Sequence, residues 1–225
     1  MKTQSMCGRT WYFLSQILLF FGSEKLANHS LVKCEKDNYE LTVEIADLRD
    51  TVEKITEYLA KEKEKNNKDF LTGLYNRSFL QETGTEIIKN CQRQNQPWGI
   101  IFIDIDDFKS VNDTMGHDVG DGVLVEFAKA LRKCSRSGDF CIRLGGDEFV
   151  VLFSNIDSYE NLVIFANRLS DFVEEAFEKT FKITLSIGCN FVEKGSLTSI
   201  DNALKRADKA MYHSKSNGKN QAHCA

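Results

Sequence analysis

The sequence predicts an α+β fold, with helices covering a sheet that contains antiparallel strands and a long helix preceding it. Three observations predict this fold. The residues from Trp98 to Ile105 form an apolar, β-branched run of the kind found in a strand buried on both faces. Two further apolar runs flank the pair Gly145-Gly146, which is typical of a β-hairpin. Helical patterns lie on both sides of that hairpin, and 225 residues suffice to bury a core between helices and sheet.

The first long helix carries a heptad pattern. Between residues 31 and 59, the positions that would face a partner recur at alternating steps of three and four. They are Leu31, Cys34, Asn38, Leu41, Ile45, Leu48, Val52, Ile55 and Leu59. We expect a coiled-coil signalling helix over residues 31–68, a parallel dimer in which Asn38 fixes the register. The alternative is a monomeric amphipathic helix packed on the next domain. The charged run from Lys61 to Lys68 has no apolar face and is expected to be a solvated helix end or hinge.

Residues 69–225 are predicted to form a single domain, because strand and helix patterns follow each other without a linker. The expected strands cover residues 98–105, 141–144, 149–153 and 181–191. The expected helices cover residues 79–91, 124–131, 162–173 and 200–211, and the last of them ends before Gly218.

The charge balance excludes broad, nonspecific binding to nucleic acid. The chain has 29 Lys and Arg against 33 Asp and Glu, a formal net charge of −4, so no extended positive field surrounds it. Any phosphate group must therefore be bound by a few local cations. The seven cysteines include no CxxC pair, which fits reduced thiols in the cytoplasm better than a disulfide framework.

Residues 1–30 form a segment of unknown role. Its hydrophobic block, Trp11 to Phe21, is shorter than the roughly 20 residues that span a bilayer. We expect this block to pack on a partner. The alternatives are association with a membrane through this segment, or a signal sequence, for which Ser23 to Lys25 would be a poor cleavage site.

Two acidic clusters are the candidates for chemistry. Asp104 ends the apolar strand and Asp106 follows it on the same face. An isolated carboxylate there would be costly or would take up a proton, so a cation is the economical partner, and oxygen ligands favour Mg²⁺ or Mn²⁺ over zinc. The second cluster, Asp147 and Glu148, follows the glycine pair, whose missing side chains would let phosphates approach the backbone. Facing each other, the clusters would suit two cations about 4 Å apart. The alternatives are solvated aspartates at a strand end and an ordinary hairpin turn.

Five blocks of the sequence resemble, in order, the motifs of one family. The first block, Asp69 to Arg77, resembles D-x-L-T-G-L-x-N-R, and the second, Asp104 to Asp121, resembles D-I-D-x-F-K-x-x-N-D followed by G-H-x-x-G-D. The third block, Arg143 to Phe149, contains G-G-D-E-F, and the fourth, Leu185 to Gly188, contains S-I-G. The fifth block, Ala207 to Asn220, resembles A-D-x-A-M-Y-x-A-K-x-x-G-R-N. These blocks are similar to those of the GGDEF-domain diguanylate cyclases. The resemblance implies a sheet like the palm of nucleotide cyclases and polymerases, and the condensation of two GTP into cyclic di-GMP and two pyrophosphates.

The resemblance also implies roles for individual residues. Two Mg²⁺ or Mn²⁺ ions per active site would be held by Asp104, Asp147 and the backbone carbonyl of Ile105, with Glu148 as a further ligand or an aid in deprotonating the 3′-hydroxyl. The implied substrate-binding residues are Asn112 and Asp121 on the guanine edge, Lys109, Lys215 and Lys219 on the triphosphate, and Phe108. Lys219 stands where the family has arginine, and Ser214 where it has alanine. Neither change removes a metal ligand, so we expect activity.

The resemblance further implies a homodimer and product inhibition. One site holds one GTP, so the ring closes only when two domains face each other, and we expect the heptad helix to control that encounter. Arg136 and Asp139 match the family's R-x-x-D inhibitory product site, with a plain surface turn as the alternative. The alternative functions are a catalytically inactive receptor for GTP or cyclic di-GMP, and a coiled-coil interaction protein whose globular part is a relic.

Overall fold

The computed structural model describes residues 6–177 and 182–225. The chain divides into two compact units between Glu62 and Lys63. Helix α1 (Met6–Asn66) makes up the described part of the first unit, and its last turn belongs to the second. The second unit is a five-stranded sheet flanked by helices, and it carries all the candidate site residues. The predicted α+β fold is confirmed.

The sheet has the strand order β2-β3-β1-β4-β5. The central strand β1 (Trp98–Ile105) runs antiparallel to both neighbours, β3 (Glu148–Phe153) and β4 (Leu185–Val192). The strand β2 (Asp139–Gly145) pairs antiparallel with β3 and forms the predicted hairpin with it. The strand β5 (Gln221–Cys224) pairs with β4 in parallel. Because β1 lies in the middle, its acidic end has a neighbouring strand on either side.

The helices of the second unit precede these strands or connect them. In chain order they are α2 (Arg77–Phe79), a π-helical turn (Leu80–Gly84), α3 (Thr85–Arg93), α4 (Phe108–Met115), α5 (His117–Cys134), α6 (Tyr159–Phe177) and α7 (Ile200–Ser216). The first and the last of them begin with side-chain caps, since Asn76 accepts from the Phe79 amide at 3.1 Å and Ser199 accepts from the Asn202 amide at 3.3 Å.

Alternate residues of β1 face two hydrophobic layers. Ile101, Ile103 and Ile105 pack with the apolar faces of α5 and α6. Ile100 and Phe102 pack on the other side, with α3 and α7. All five side chains are at most 5% exposed. Burial on both faces explains why this strand reads as a continuous apolar run rather than an alternating one.

Two predicted elements differ from the structure, and one observed strand was not among the predictions. The helix expected over 79–91 is interrupted by the π-helical turn, which contains Gly84, a poor helix former packed closely on Ile200. The strand expected from Phe181 begins at Leu185, because its pairing with β1 ends where β1 ends, at Ile105. Phe181 itself lies outside the described residues. The short strand β5 was not predicted; its four residues carry too little pattern, and they become a strand only because β4 offers them an edge.

The heptad positions of α1 are exposed in the single chain. The described apolar ones are between 49% and 61% exposed: Leu41, Ile45, Leu48, Val52, Ile55 and Leu59. The side chains of Leu31, Cys34 and Trp11, on which parts of the sequence-based predictions rest, lie outside the described residues. Within the described ranges, no helix is both long enough and apolar enough to cross a membrane.

Helix α7 packs directly on the backbone of β4. A Cβ added at Gly188 would clash with the carbonyl oxygen of Ala207 and with the amide of Met211, both in α7. One turn further on, the buried hydroxyl of Ser214 donates to the carbonyl of Ile187 at 2.8 Å. Ser214 thus makes a hydrogen bond from helix to strand.

We expect Gly188→Ala to destabilise the domain by about 2 kcal/mol, because α7 must move away from β4 and the clashing atoms belong to rigid backbone. Urea unfolding followed by far-UV circular dichroism measures the change. Gly122→Ala is the matched control, since nothing lies within 4 Å of a Cβ built in that helical position. It should stabilise slightly, by roughly 0.5 kcal/mol. Equal stability of the two variants would contradict the close-packing argument.

Candidate active site

The buried carboxylate of Asp104 lies at the acidic end of the central strand. It is 5% exposed, and Lys215 of α7 forms an ion pair with it, with Nζ 2.7 Å from Oδ2. Burial raises the pKa of Asp104 to about 6; the hydrogen bond from Lys215 opposes this rise, and the negative charge of Asp147 adds to it. One lysine therefore offsets only part of the cost of the buried charge.

Asp147 reaches this point because the hairpin places its turn beside the end of β1. Asp104 is the cross-strand partner of Glu148 in the ladder between β1 and β3. The next residue, Ile105, donates its amide to the carbonyl of Asp147 at 3.4 Å. The structure thus brings together Asp104, Ile105, Asp147 and Glu148, the four residues implied for the metal site.

The shape of this turn requires its two glycines. Gly145 and Gly146 have φ angles of 146° and 55°, which favour glycine, and nothing lies within 4 Å of a Cβ built on either.

Arg143 fixes the turn: its Nε and Nη2 donate to the carbonyl of Gly146 at 2.9 and 2.8 Å, and its Nη1 donates to Asp69 at 3.1 Å. Burial opposes ionisation of Asp69, yet hydrogen bonds from Thr72 and Arg143 outweigh it and lower the pKa of Asp69. The segment that opens the domain is therefore tied to the turn.

Asp106, expected on the same face as Asp104, is fully engaged in the structure. It is 5% exposed, and its carboxylate accepts from the hydroxyls of Thr184 and Ser186, both at 2.7 Å, and from the amide of Asn220 at 3.1 Å. Ser186 lies in β4, Thr184 directly precedes β4, and Asn220 directly precedes β5. Asp106 thus holds the C-terminal part of the domain against the end of β1.

The three lysines implied for the triphosphate have different surroundings. Lys215 contacts Asp104, and Lys219 forms a 2.6 Å ion pair with Asp107, which raises the pKa of Lys219. Lys109 is exposed on the first turn of α4. Two of the three cations therefore already contact the aspartates at the end of β1 and just after it.

The residues implied for guanine lie where α4 meets α5. The side chain of Asn112 packs against the backbone of Gly120, which leaves no room there for a Cβ, and the exposed Asp121 follows directly. Phe108 is 8% exposed, and a Cβ built on Gly120 would lie 3.4 Å from its ring. Asn112 and Asp121 are thus on adjacent helix ends, whereas the ring of Phe108 belongs to the core.

The donor set at the end of β1 fits a hard divalent cation. All its candidate ligands are oxygens, and two neighbouring carboxylates are balanced by one lysine. Among the described residues, no three His, Cys, Asp or Glu side chains converge into a metal-binding group. This arrangement suits Mg²⁺, which usually takes one or two carboxylates and completes its shell with water and substrate phosphates.

A second polar pocket lies between α6 and the start of β2. It is lined by Arg136, Asp139 and Arg168, together with Asn155 and Asp157. The backbone amide of Arg136 donates to Asp139 at 2.7 Å, so these residues do form a turn, and burial raises the pKa of Asp139. This geometry is compatible with both hypotheses for Arg136 and Asp139, a plain surface turn and a site that binds the product.

Sequence reasoning did not find the contributions of Asp69, Arg143 and Arg168. Asp69 and Arg143 lie in two separate motif blocks, 74 residues apart, and neither block indicates that their side chains form an ion pair. Arg168 is an exposed residue of an amphipathic helix and carries no local pattern. Only the packing of α6 against α5, where Arg168 donates to the carbonyl of Cys134 at 2.6 Å, brings Arg168 to the pocket of Arg136.

Comparison with known proteins identifies the family of the second unit. The family model described as "Diguanylate cyclase, GGDEF domain" matches residues 66–221. Diguanylate cyclase A of Treponema denticola is 38% identical over 138 residues, which cover 60% of this chain and 37% of that protein. The response regulator PleD of Caulobacter vibrioides is 37% identical over 158 residues, covering 68% of this chain and 34% of that protein. The chain thus spans about a third of the length of these relatives.

A solved structure shows the same fold. The coiled coil and GGDEF domain of DgcB from Caulobacter crescentus, in complex with c-di-GMP, has a TM-score of 0.67 and 26% identity. The match covers 82% of this chain and 99% of that one. Because the family model matches more than half of the sequence, the chain belongs to the GGDEF-domain family of diguanylate cyclases.

Proposed function

We propose that this protein is a diguanylate cyclase, which joins two GTP molecules into cyclic di-GMP and releases two pyrophosphates. The observation that carries the proposal is the approach of Asp147, in the hairpin turn, to the buried Asp104 at the end of β1. Similarity to proteins named diguanylate cyclase supports the same reaction.

The residues around Asp104 would bind the divalent ions and the reacting groups. Asp104, Asp147 and the carbonyl of Ile105 would hold two Mg²⁺ or Mn²⁺ ions. Bound ions of this kind lower the pKa of an attacking hydroxyl and stabilise charge on a phosphate. Glu148, the cross-strand partner of Asp104, would complete the ligand set or accept the proton of the 3′-hydroxyl. The open space over Gly145 and Gly146 would admit the triphosphate.

Cations and amides on the neighbouring helices would hold the rest of GTP. Lys109, Lys215 and Lys219 would neutralise the triphosphate. Asn112 and Asp121 would bind the guanine edge, because an amide and a carboxylate match its donors and acceptor. Lys215 and Lys219 would exchange part of their present pairing with Asp104 and Asp107 for phosphate when substrate binds.

Ring closure requires two such domains, and the exposed seam of α1 supports a dimer. Each 3′-hydroxyl must attack a nucleotide held by the second subunit. Six apolar seam residues about half exposed in the single chain would be covered by a second copy in a parallel coiled coil. The coiled coil would then raise the effective concentration of one catalytic domain near the other.

Product inhibition would act at the pocket of Arg136, Asp139 and Arg168. Two guanidinium groups near one carboxylate could bind both the phosphates and the guanine edge of cyclic di-GMP. The similar DgcB structure is a complex with c-di-GMP, which supports binding of the product to this chain.

Asp104→Asn and Asp147→Asn should each lower the rate of cyclic di-GMP formation from GTP and Mg²⁺ by about 10²-fold or more, because each removes a ligand charge from the reacting centre. Chromatographic quantification of product measures the rate, and Asp171→Asn, an exposed carboxylate of α6, is the control. A parent protein that binds GTP or cyclic di-GMP but forms no product would be the inactive receptor instead.

Arg136→Ala should leave the initial rate unchanged and raise the product concentration that gives half-inhibition by about tenfold, because it removes a charged hydrogen-bond donor from the pocket. Arg168→Ala should act in the same direction, and Arg206→Ala, exposed on α7, should change neither quantity. Progress curves with added cyclic di-GMP provide the measurement. Unaltered inhibition in both pocket variants would reject the assignment.

Ile45→Asp should dissociate the dimer and slow synthesis at low protein concentration, because it places a charge in the apolar seam. Val43→Asp is the matched control: Val43 is also apolar and 51% exposed, but lies outside the seam. Analytical ultracentrifugation and rates measured across a protein dilution series test both variants. Identical behaviour of the two would argue against a coiled coil that governs encounter.

A further inference from the structure

Two cysteines lie side by side at the C-terminal edge of the sheet. Cys189 of β4 and Cys224 of β5 are direct partners in the parallel ladder, and the amide of Ala225 donates to the carbonyl of Cys189 at 3.0 Å. Both side chains face the hydrophobic layer that contains α6. Neighbouring strands lie about 4.8 Å apart, within the range of roughly 4.4–6.8 Å that Cα atoms span in a disulfide.

The two thiols belong to directly paired residues and differ in accessibility and in acidity. Cys189 is fully buried, whereas Cys224 is partly exposed. A hydrogen bond from Cys189, assisted by one from the hydroxyl of Tyr159, lowers the pKa of Cys224 to about 7 despite its partial burial. The same bond raises the pKa of Cys189 well above its usual range. Cys224 is thus the more accessible thiol and the one that ionises first.

The other described cysteines do not share this arrangement. Cys91 donates to the carbonyl of Ser154 at 3.1 Å, and Cys141 contacts the hydroxyl of Ser135 at 3.1 Å. Burial raises the pKa values of Cys91, Cys134 and Cys141. Among the described residues, the edge of β4 and β5 is therefore where a reactive thiol and a resolving thiol meet.

We propose that Cys189 and Cys224 are a redox-active pair that hydrogen peroxide converts into a disulfide joining β4 to β5. The thiolate of Cys224 attacks one peroxide oxygen and the O–O bond breaks, so that Cys224 becomes a sulfenic acid and hydroxide leaves. The hydroxide takes up the proton that the Cys224 thiol lost on ionising and becomes the first water. The sulfur of Cys189 then attacks Cys224, the S–O bond breaks, and its own proton leaves with the hydroxide as a second water. Two thiols lose two electrons in all, and the peroxide gains them.

The disulfide would lock a segment that is tied to the candidate active site. The strand β5 has four residues and stands at the edge of the sheet beside β4, and short edge strands open readily. It directly follows Lys219 and Asn220, which bind Asp107 and Asp106. Oxidation would therefore hold the backbone that carries these two contacts, and reduction would release it.

The test treats the full-length, reduced protein with hydrogen peroxide and digests it with trypsin without reduction. We expect the peptide of residues 183–194 to be joined to that of residues 220–225, with a mass about 2 Da below the sum of the two. Dithiothreitol should separate them. Hydrogen exchange should become slower in β5 after oxidation. A linked peptide without slower exchange would overturn the locking of β5.

Three variants complete the experiment. Cys224→Ala should abolish the link, and Cys189→Ala should leave a sulfenic acid on Cys224 that dimedone labels. Cys91→Ala, another buried thiol that contacts neither residue, should retain the link. Because Cys189 is fully buried, circular dichroism checks the fold of its variant, and the partly exposed Cys224 provides the decisive substitution. Absence of the 183–194 to 220–225 link in the parent protein, or its persistence in Cys224→Ala, would overturn the proposal.

Discussion

A carboxylate that cannot be solvated organises this domain. Asp104 ends a strand that is buried on both faces and has neighbours on both sides, so water cannot offset its charge. The hairpin brings Asp147 close to Asp104, and the repulsion between the two negative charges further disfavours the ionised form of Asp104. Lys215 is the one ionic partner of Asp104 in the described part of the chain, and a divalent cation with its nucleotide is the natural complement of the remainder.

The C-terminal residues complete the site, although they are more than 100 residues from Asp104 in sequence. Lys215, Lys219 and Asn220 contact Asp104, Asp107 and Asp106, respectively. Helix α7 can approach this closely because Gly188 in β4 has no side chain, and the hydroxyl of Ser214 adds a hydrogen bond across the same interface. The geometry of the candidate active site therefore depends on how α7 and β5 are held against β4. That dependence is why a covalent link between β4 and β5 would matter for the site.

Three features that could adjust activity lie in different parts of the chain. The seam of α1 would govern the meeting of two domains, the pocket of Arg136 and Arg168 would respond to product, and the thiols of Cys189 and Cys224 would respond to oxidants. The Arg143 network connects the segment that opens the domain to the glycine turn through Asp69. Because this ion pair is largely buried, movement of either end has an energetic cost.

The sequence by itself determined the α+β class, the central strand, the hairpin and the acidic residues at its turn, since these depend on local periodicity and on glycines that adopt positive φ. The motif blocks also identified Asp104 and Asp147 before their proximity was known. Only the tertiary structure decided that Asp106 binds hydroxyls, that the ring of Phe108 lies in the core, that Arg168 joins Arg136, and that residues 221–224 form a strand beside Cys189. Each of these depends on contacts between residues far apart along the chain, and such contacts leave no local pattern from which they could be predicted.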